Sequence, residues 1–187
     1  MSAATNLQPT LWRTCRAIAN RRRLRIFGWL VKQPDQTVSA VAHHLRLPLS
    51  LTSVYLRTLE ARGLLTSRRV GRWVKYHAGS ATAQHPASAL AASLTLAFLQ
   101  EAKPVETIFR LATAFTHPRR IEVFRVFHQG PWRASQVRAA THISSWALLR
   151  HLRKLESRGF IVRQGSQYAV AEQQGGLGRE LARWAVK

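Results

Sequence analysis

Apolar residues recur at helical spacing through most of this chain. Leu24, Phe27 and Leu30 share one helical face, and Ile121, Phe124 and Phe127 repeat the arrangement further along. Each set runs into a breaker, Gln33-Pro34-Asp35 in the first case and Gly130-Pro131 in the second. Beyond each breaker Ser39 or Ser135 stands where an N-cap is expected, opening a short helix over 39–45 and over its counterpart. After a tight turn comes a longer helix over 48–62 or 144–158, with Gly63 or Gly159 just beyond its end, where a left-handed residue closes a helix. The period then changes, and 64–67 and 73–76 read as two short strands joined by a turn through Arg68 to Arg72. Further helices are expected over 10–19, 87–103, 105–115 and 177–186.

The two series are one series written twice. At a spacing of 96 residues, LRTLEARG at 56–63 meets LRKLESRG at 152–159, with six of eight positions identical. The same spacing pairs Ser39 with Ser135 and Val41 with Val137, and a one-residue shift pairs Arg22, Arg23 and Phe27 with Arg119, Arg120 and Phe124. The stretch from the shared Arg-Gly to Tyr76 is four residues longer than that to Tyr168, which predicts a shorter second hairpin. The expected fold class is mainly α with small β-hairpins (α+β), divided into units over 1–103 and 104–187.

Composition supplies the first chemical clue. With 187 residues, 46% hydrophobic and 20% charged, the chain can bury a real core. The 29 Lys and Arg against 8 Asp and Glu leave a net charge of +21, an excess that calls for an anionic partner. The charge is segmented: 1–77 carries 14 basic and 2 acidic residues, 78–108 carries 1 and 2, and 109–187 carries 14 and 4. Cys15 stands alone, which excludes an intramolecular disulfide framework and fits a cytoplasmic setting. The longest nearly apolar run, 87–99, falls short of the roughly 20 residues a bilayer requires, so no membrane association is expected.

Rotation by about 100° per residue sorts the longer helix of each copy. Thr52, Leu56 and Leu59 point one way, while Ser50, Ser53, Val54 and Arg57 cluster opposite. In the second copy Leu148, Leu152 and Leu155 point inward, and Trp146, Leu149, Arg150 and Arg153 face out. The outward set has the form of a face offered to a DNA major groove, with Ser50, Ser53 and Tyr55 placed to read bases and Arg57 to meet phosphate. Arg68, Arg69, Arg72 and Lys75 are gathered on the first hairpin, where they can follow a backbone or enter a minor groove. The second copy offers Arg163 nearby, with Lys154 beside Arg153. The competing readings are a solvated basic surface and, for Arg57 and Arg153, contacts to Glu60 and Glu156. Trp146 and Leu149 fit either a protein contact or thymine methyl groups.

These segments resemble a known family, the winged helix-turn-helix regulators of the arsenical-resistance-repressor (ArsR-like) type. IANRRRLRIFGWL resembles the family's opening helix, VSAVAHHLRLPLSLTSVYLRTLEARGLL its helix-turn-helix and TSRRVGRWVKYHA its wing. The second copy, from HPRRIEVFRVF to SRGFIVRQGSQYAV, resembles it more weakly. The resemblance implies a double-stranded-DNA-binding transcriptional regulator associated with the nucleoid. Since family members usually pair as two-fold dimers of single domains, it also implies an intrachain pseudo-dimer. Many members sense a metal through cysteines near the first helix of the helix-turn-helix, or through carboxylate and histidine ligands on the final helix. Neither pattern stands at the matching positions here, and adjacent His43 and His44 diverge on a helix, so no metal and no cofactor are expected. Cys15 reads as a packed residue or as a thiol switch whose pKa nearby arginines depress. No catalytic constellation is visible, so no enzyme is expected. The alternative function is a tandem winged-helix protein-interaction or nucleoid-organising module, with a homodimer or protein partner met through the second unit.

Overall fold

The computed structural model describes residues 10–79 and 86–187. The first half runs α1 (Leu11–Ile18), α2 (Arg21–Lys32), β1 (Gln36–Thr37), α3 (Val38–Leu45), α4 (Leu49–Glu60), β2 (Leu65–Val70), β3 (Trp73–Ala78) and α5 (Pro86–Leu99). The second runs α6 (Val105–Ala112), a 3₁₀ turn (Thr113–Phe115), α7 (Pro118–Phe127), β4 (Trp132–Arg133), α8 (Ala134–Thr141), α9 (Ser145–Ser157), β5 (Ile161–Gln164), β6 (Gln167–Val170) and α10 (Gly176–Val186). The described residues are mainly helical, with two antiparallel three-stranded sheets ordered β1-β3-β2 and β4-β6-β5. No described helix is long and apolar enough to cross a membrane.

Local chemistry explains most of the boundaries. The Asn20 side chain accepts the Arg23 N–H at 3.0 Å to start α2, and His117 Nδ1 accepts the Arg119 N–H at 3.2 Å to start α7. Gly63 and Gly159, at φ 68° and 78°, occupy the left-handed region just past α4 and α9. The caps of α3 and α8 differ from expectation. Thr37, not Ser39, caps α3, its hydroxyl accepting the Ala40 N–H at 3.2 Å. Arg133, not Ser135, stands at the start of α8, and its N–H donates to Gln136 Oε1 at 2.8 Å. The reason is tertiary: β1 and β4 pair with the central strands β3 and β6, and the chain steps straight from that pairing into each helix. Two-residue strands carry no alternation of their own and left no mark on the hydrophobic pattern.

The first hairpin is longer than its apolar residues indicated. Pairing continues to Val70 and Trp73, so Arg68 and Arg69 belong to strand β2 and the turn shrinks to Gly71-Arg72. The second hairpin keeps four-residue strands.

One hydrophobic core passes through both halves. Leu24, Phe27 and Leu30 are buried in the first, and Ile121, Phe124 and Phe127 in the second. Phe115 meets Phe124 and Phe160 edge-on, with ring centroids 5.1 and 4.6 Å apart. Between the halves, α5 packs against α10, while α1 packs against α6 and the 3₁₀ turn. Each opening or closing helix therefore meets its own counterpart, the self-complementary pattern of an isologous interface. Arg21 adds a 2.7 Å ion pair with Glu106 across the join and lies over the Phe109 ring at 3.9 Å. Both charged groups are exposed, so the pair contributes little beside the apolar burial.

Candidate nucleic-acid interface

The hydrogen bonds of α3 and α4 set the site. Arg46 takes a left-handed conformation at φ 52°, ends α3 and turns the chain toward Pro48, from which α4 starts. Thr52 is fully buried, and its hydroxyl donates to the Pro48 carbonyl at 3.0 Å, so burial leaves no polar group unpaired. With Thr52, Leu56 and Leu59 buried, the opposite face of α4 is left outside. That face presents Ser50, Val54 and Arg57 exposed and Ser53 half-buried.

An open groove of about 620 Å³ runs along this face. Its walls are Ser50, Ser53, Val54 and Arg57, with Thr37 and Val38 on one side and Trp73 and Val74 at the hairpin tip. Leu49, Val54, Trp73 and Val74 are 56%, 51%, 48% and 41% exposed, so the groove is more apolar than a rotation of α4 alone indicates. The hairpin's share of this wall depends on which strand residues turn toward α4, and that follows only from the register.

That register divides the hairpin cations. Strand alternation puts Leu65, Ser67 and Arg69 on the same face as Ala78, Tyr76 and Val74. This face looks toward α4, because Leu65 and Tyr76 are buried and the Ser67 hydroxyl donates to the Glu60 carboxylate. Arg68 and Lys75 stand opposite each other on the other face. There Arg68 is gripped by Asp35, which also lies 3.7 Å from His77 Nδ1. The four cations grouped by sequence are thus not one set: Arg68 is committed to Asp35 and Lys75 is half-buried beside it. Arg69 and Arg72 remain at the tip, Arg69 bent onto the Gly71 carbonyl at 3.3 Å and Arg72 over the Trp73 ring at 4.9 Å.

Tyr55 also departs from its assigned place. It packs half-buried against the core, with the Arg23 guanidinium 5.7 Å from its ring, and it does not line the groove. Arg57 is exposed, and among the described residues no ion pair joins Arg57 to Glu60 or Arg153 to Glu156. Arg57 Nε instead approaches the Ser53 carbonyl at 3.4 Å.

The matching face of α9 is different in kind. Trp146, the counterpart of Ser50 at the 96-residue spacing, is 85% exposed, and Leu149, the counterpart of Ser53, is 39% exposed. Arg150 and Arg153 are exposed with them. Lys154 is half-buried, and burial together with Arg158 and Arg120 holds its ammonium below the usual lysine range. Arg163 reaches back to the Gly165 carbonyl at 3.1 Å and lies 5.9 Å from the Tyr168 ring. Cys15 is fully buried, and burial pushes its thiol pKa up, opposite to the depression that a thiol switch requires. Among the described residues no three His, Cys, Asp or Glu side chains gather where they could hold a metal ion.

Compared with known proteins, the chain matches no family model and no curated sequence.

Proposed function

We propose that this chain is a double-stranded-DNA-binding transcriptional regulator of the ArsR-like winged helix-turn-helix type, with two such units in one polypeptide forming a pseudo-dimer. The observation that carries the reading is the outward face of α4, with Ser50, Val54 and Arg57 exposed and Ser53 half-buried, standing beside a hairpin tipped with Arg69 and Arg72. A net charge of +21 supports a polyanionic partner. In this reading α4 enters the major groove, where Ser50 and Ser53 meet base edges and Val54 meets thymine methyls. Arg57, Arg69 and Arg72 neutralise phosphates. The self-matched packing of α1 on α6 and α5 on α10 supports the pseudo-dimer. Such a protein works in the cytoplasm, at the nucleoid.

Selection from random duplex DNA tests the proposal, with enrichment of one motif as the expected result. Ser50→Ala with Ser53→Ala should alter that motif, whereas Arg57→Ala, Arg69→Ala and Arg72→Ala should weaken binding to all sequences alike. If about six to eight phosphates are neutralised, log affinity falls with log salt at a slope near minus five to minus seven. A flat salt response rejects the electrostatic basis.

A second reading has its own observation, Trp146 at 85% exposure. A large exposed aromatic side chain favours a protein-interaction or nucleoid-organising module, with a second copy or another protein seated on α9. Selection that enriches no motif supports this alternative.

A further inference from the structure

A second concavity lies at the other end of α4, where Thr58 and Arg62 face α1 and α2. Its volume is about 400 Å³ and its walls are Trp12, Arg13, Arg16, Arg23, Thr58 and Arg62. Four arginines line it, and among the described residues none of them pairs with a carboxylate. Arg13, Arg23 and Arg62 are nevertheless half-buried. Arg23 is anchored by the Ala17 and Arg16 carbonyls, and Arg13 and Arg16 lie 5.1 and 5.8 Å from the Trp12 ring. Like charges brought together in partly dehydrated surroundings repel one another, and a bound anion relieves that repulsion.

The duplicated half provides an internal comparison. At the matching positions stand Phe109, Arg110, Thr113, Arg120, Lys154 and Arg158. There Thr113 replaces Arg16, and its hydroxyl accepts from Arg158 Nε at 2.8 Å, while Arg120 donates to the Thr113 and Ala114 carbonyls at 2.8 and 3.0 Å. The carbonyl contacts of Arg120 repeat those of Arg23, so the difference lies at Arg158, which has the Thr113 hydroxyl, whereas among the described residues its counterpart Arg62 has no hydrogen-bond acceptor and Arg16 adds a further cation. We infer that the first pocket is a binding site for a small phosphate-bearing anion, gripped by Arg13, Arg16 and Arg62 around the anchored Arg23. Planar guanidinium groups match phosphate oxygens in pairs, and the Trp12 wall lowers the local dielectric that screens them. The pocket is at the small end of the ligand-site range, which suits a compact anion. Arg62 lies past the end of α4 at Glu60, which is ten residues beyond Ser50 and roughly 15 Å along the helix axis, so the site is separate from the proposed base-reading face.

Calorimetric titration of the full chain with sodium pyrophosphate tests this assignment. Saturable one-to-one binding is expected, weakened about ten-fold or more by Arg13→Gln with Arg62→Gln. The control Arg22→Gln with Arg179→Gln, which removes the same charge elsewhere, should change affinity less than about two-fold. Circular dichroism and thermal melting of each variant establish that it is folded. Absence of saturable binding overturns the inference, as does equal weakening by both pairs. A third outcome also overturns it: pyrophosphate binding unaffected by the Arg13 and Arg62 changes while duplex affinity drops, which makes those arginines DNA-backbone contacts.

Discussion

The Arg68 guanidinium holds the Asp35 carboxylate through two hydrogen bonds of 3.0 and 2.8 Å, joining strand β2 to the turn between α2 and β1. Hydrogen bonding to Arg68 keeps the Asp35 carboxyl below the usual aspartate range. Asp35→Asn removes the charge yet tolerates the left-handed backbone, φ 59°, at this position. The Arg68 side chain is exposed and that of Asp35 partly so, and thermal stability should change little. On the DNA-binding reading, a freed Arg68 adds about one phosphate contact and steepens the salt slope by about one. Filter binding across a salt series checks this, and a slope equal to that of the parent protein would show that Arg68 stays off the duplex.

His151 is only 4% exposed, and among the described residues its Nδ1 has no hydrogen-bond partner. Burial first, then the charges of Arg120, His117 and Arg150, push its pKa down to about 4. Unfolded, a histidine titrates near 6.5. Between these values the unfolded chain binds more protons than the folded one, so stability is complete above about pH 6.5 and declines toward pH 4. His151→Gln removes that proton and should flatten the decline by about 2 kcal/mol between pH 7.5 and 5. Urea midpoints at the two pH values measure it, and parallel losses in both proteins refute the assignment.

Gly159 isolates the backbone cost of a helix stop. A Cβ built there meets nothing within 4 Å, yet φ is 78°. Gly159→Ala should therefore destabilise the fold by about 1 to 2 kcal/mol through conformation alone. Chemical denaturation gives the value, with Gly159→Asn expected to cost less because asparagine enters this region more readily.

Trp146 makes its prediction through exposure. Trp146→Ser restores the residue found at position 50, and with 85% of the side chain exposed it should leave the unfolding free energy within about 0.5 kcal/mol. The first half's recognition motif should also be unchanged in duplex selection. A shifted motif means that α9 reads DNA as well.

Particular residues show where reading the chain succeeds. Thr52, Leu56 and Leu59 were legible as the buried stripe of α4 because a helix has one rotation per residue whatever surrounds it. Gly63 and Gly159 marked helix ends because their left-handed backbone is a local requirement. Ser39 and Ser135 misled for the opposite reason, since either is a sound cap until a strand formed with distant residues decides where the helix begins. Tyr55 sits on a boundary between faces, and only the Arg23 side chain from another helix settles that it packs inward.

The amino-acid order alone determined the duplication, the helical faces, the turn glycines and the large positive charge, because each is expressed by neighbours in the chain or by composition. Tertiary structure decided which cations are free. Whether Arg68 meets Asp35, whether Arg69 shares a face with α4, and whether Arg62 meets α1 as Arg158 meets Thr113 all depend on strand register and on helices brought together from afar. Coulomb interactions act through space over a few ångströms, and separation along the chain says nothing about that distance.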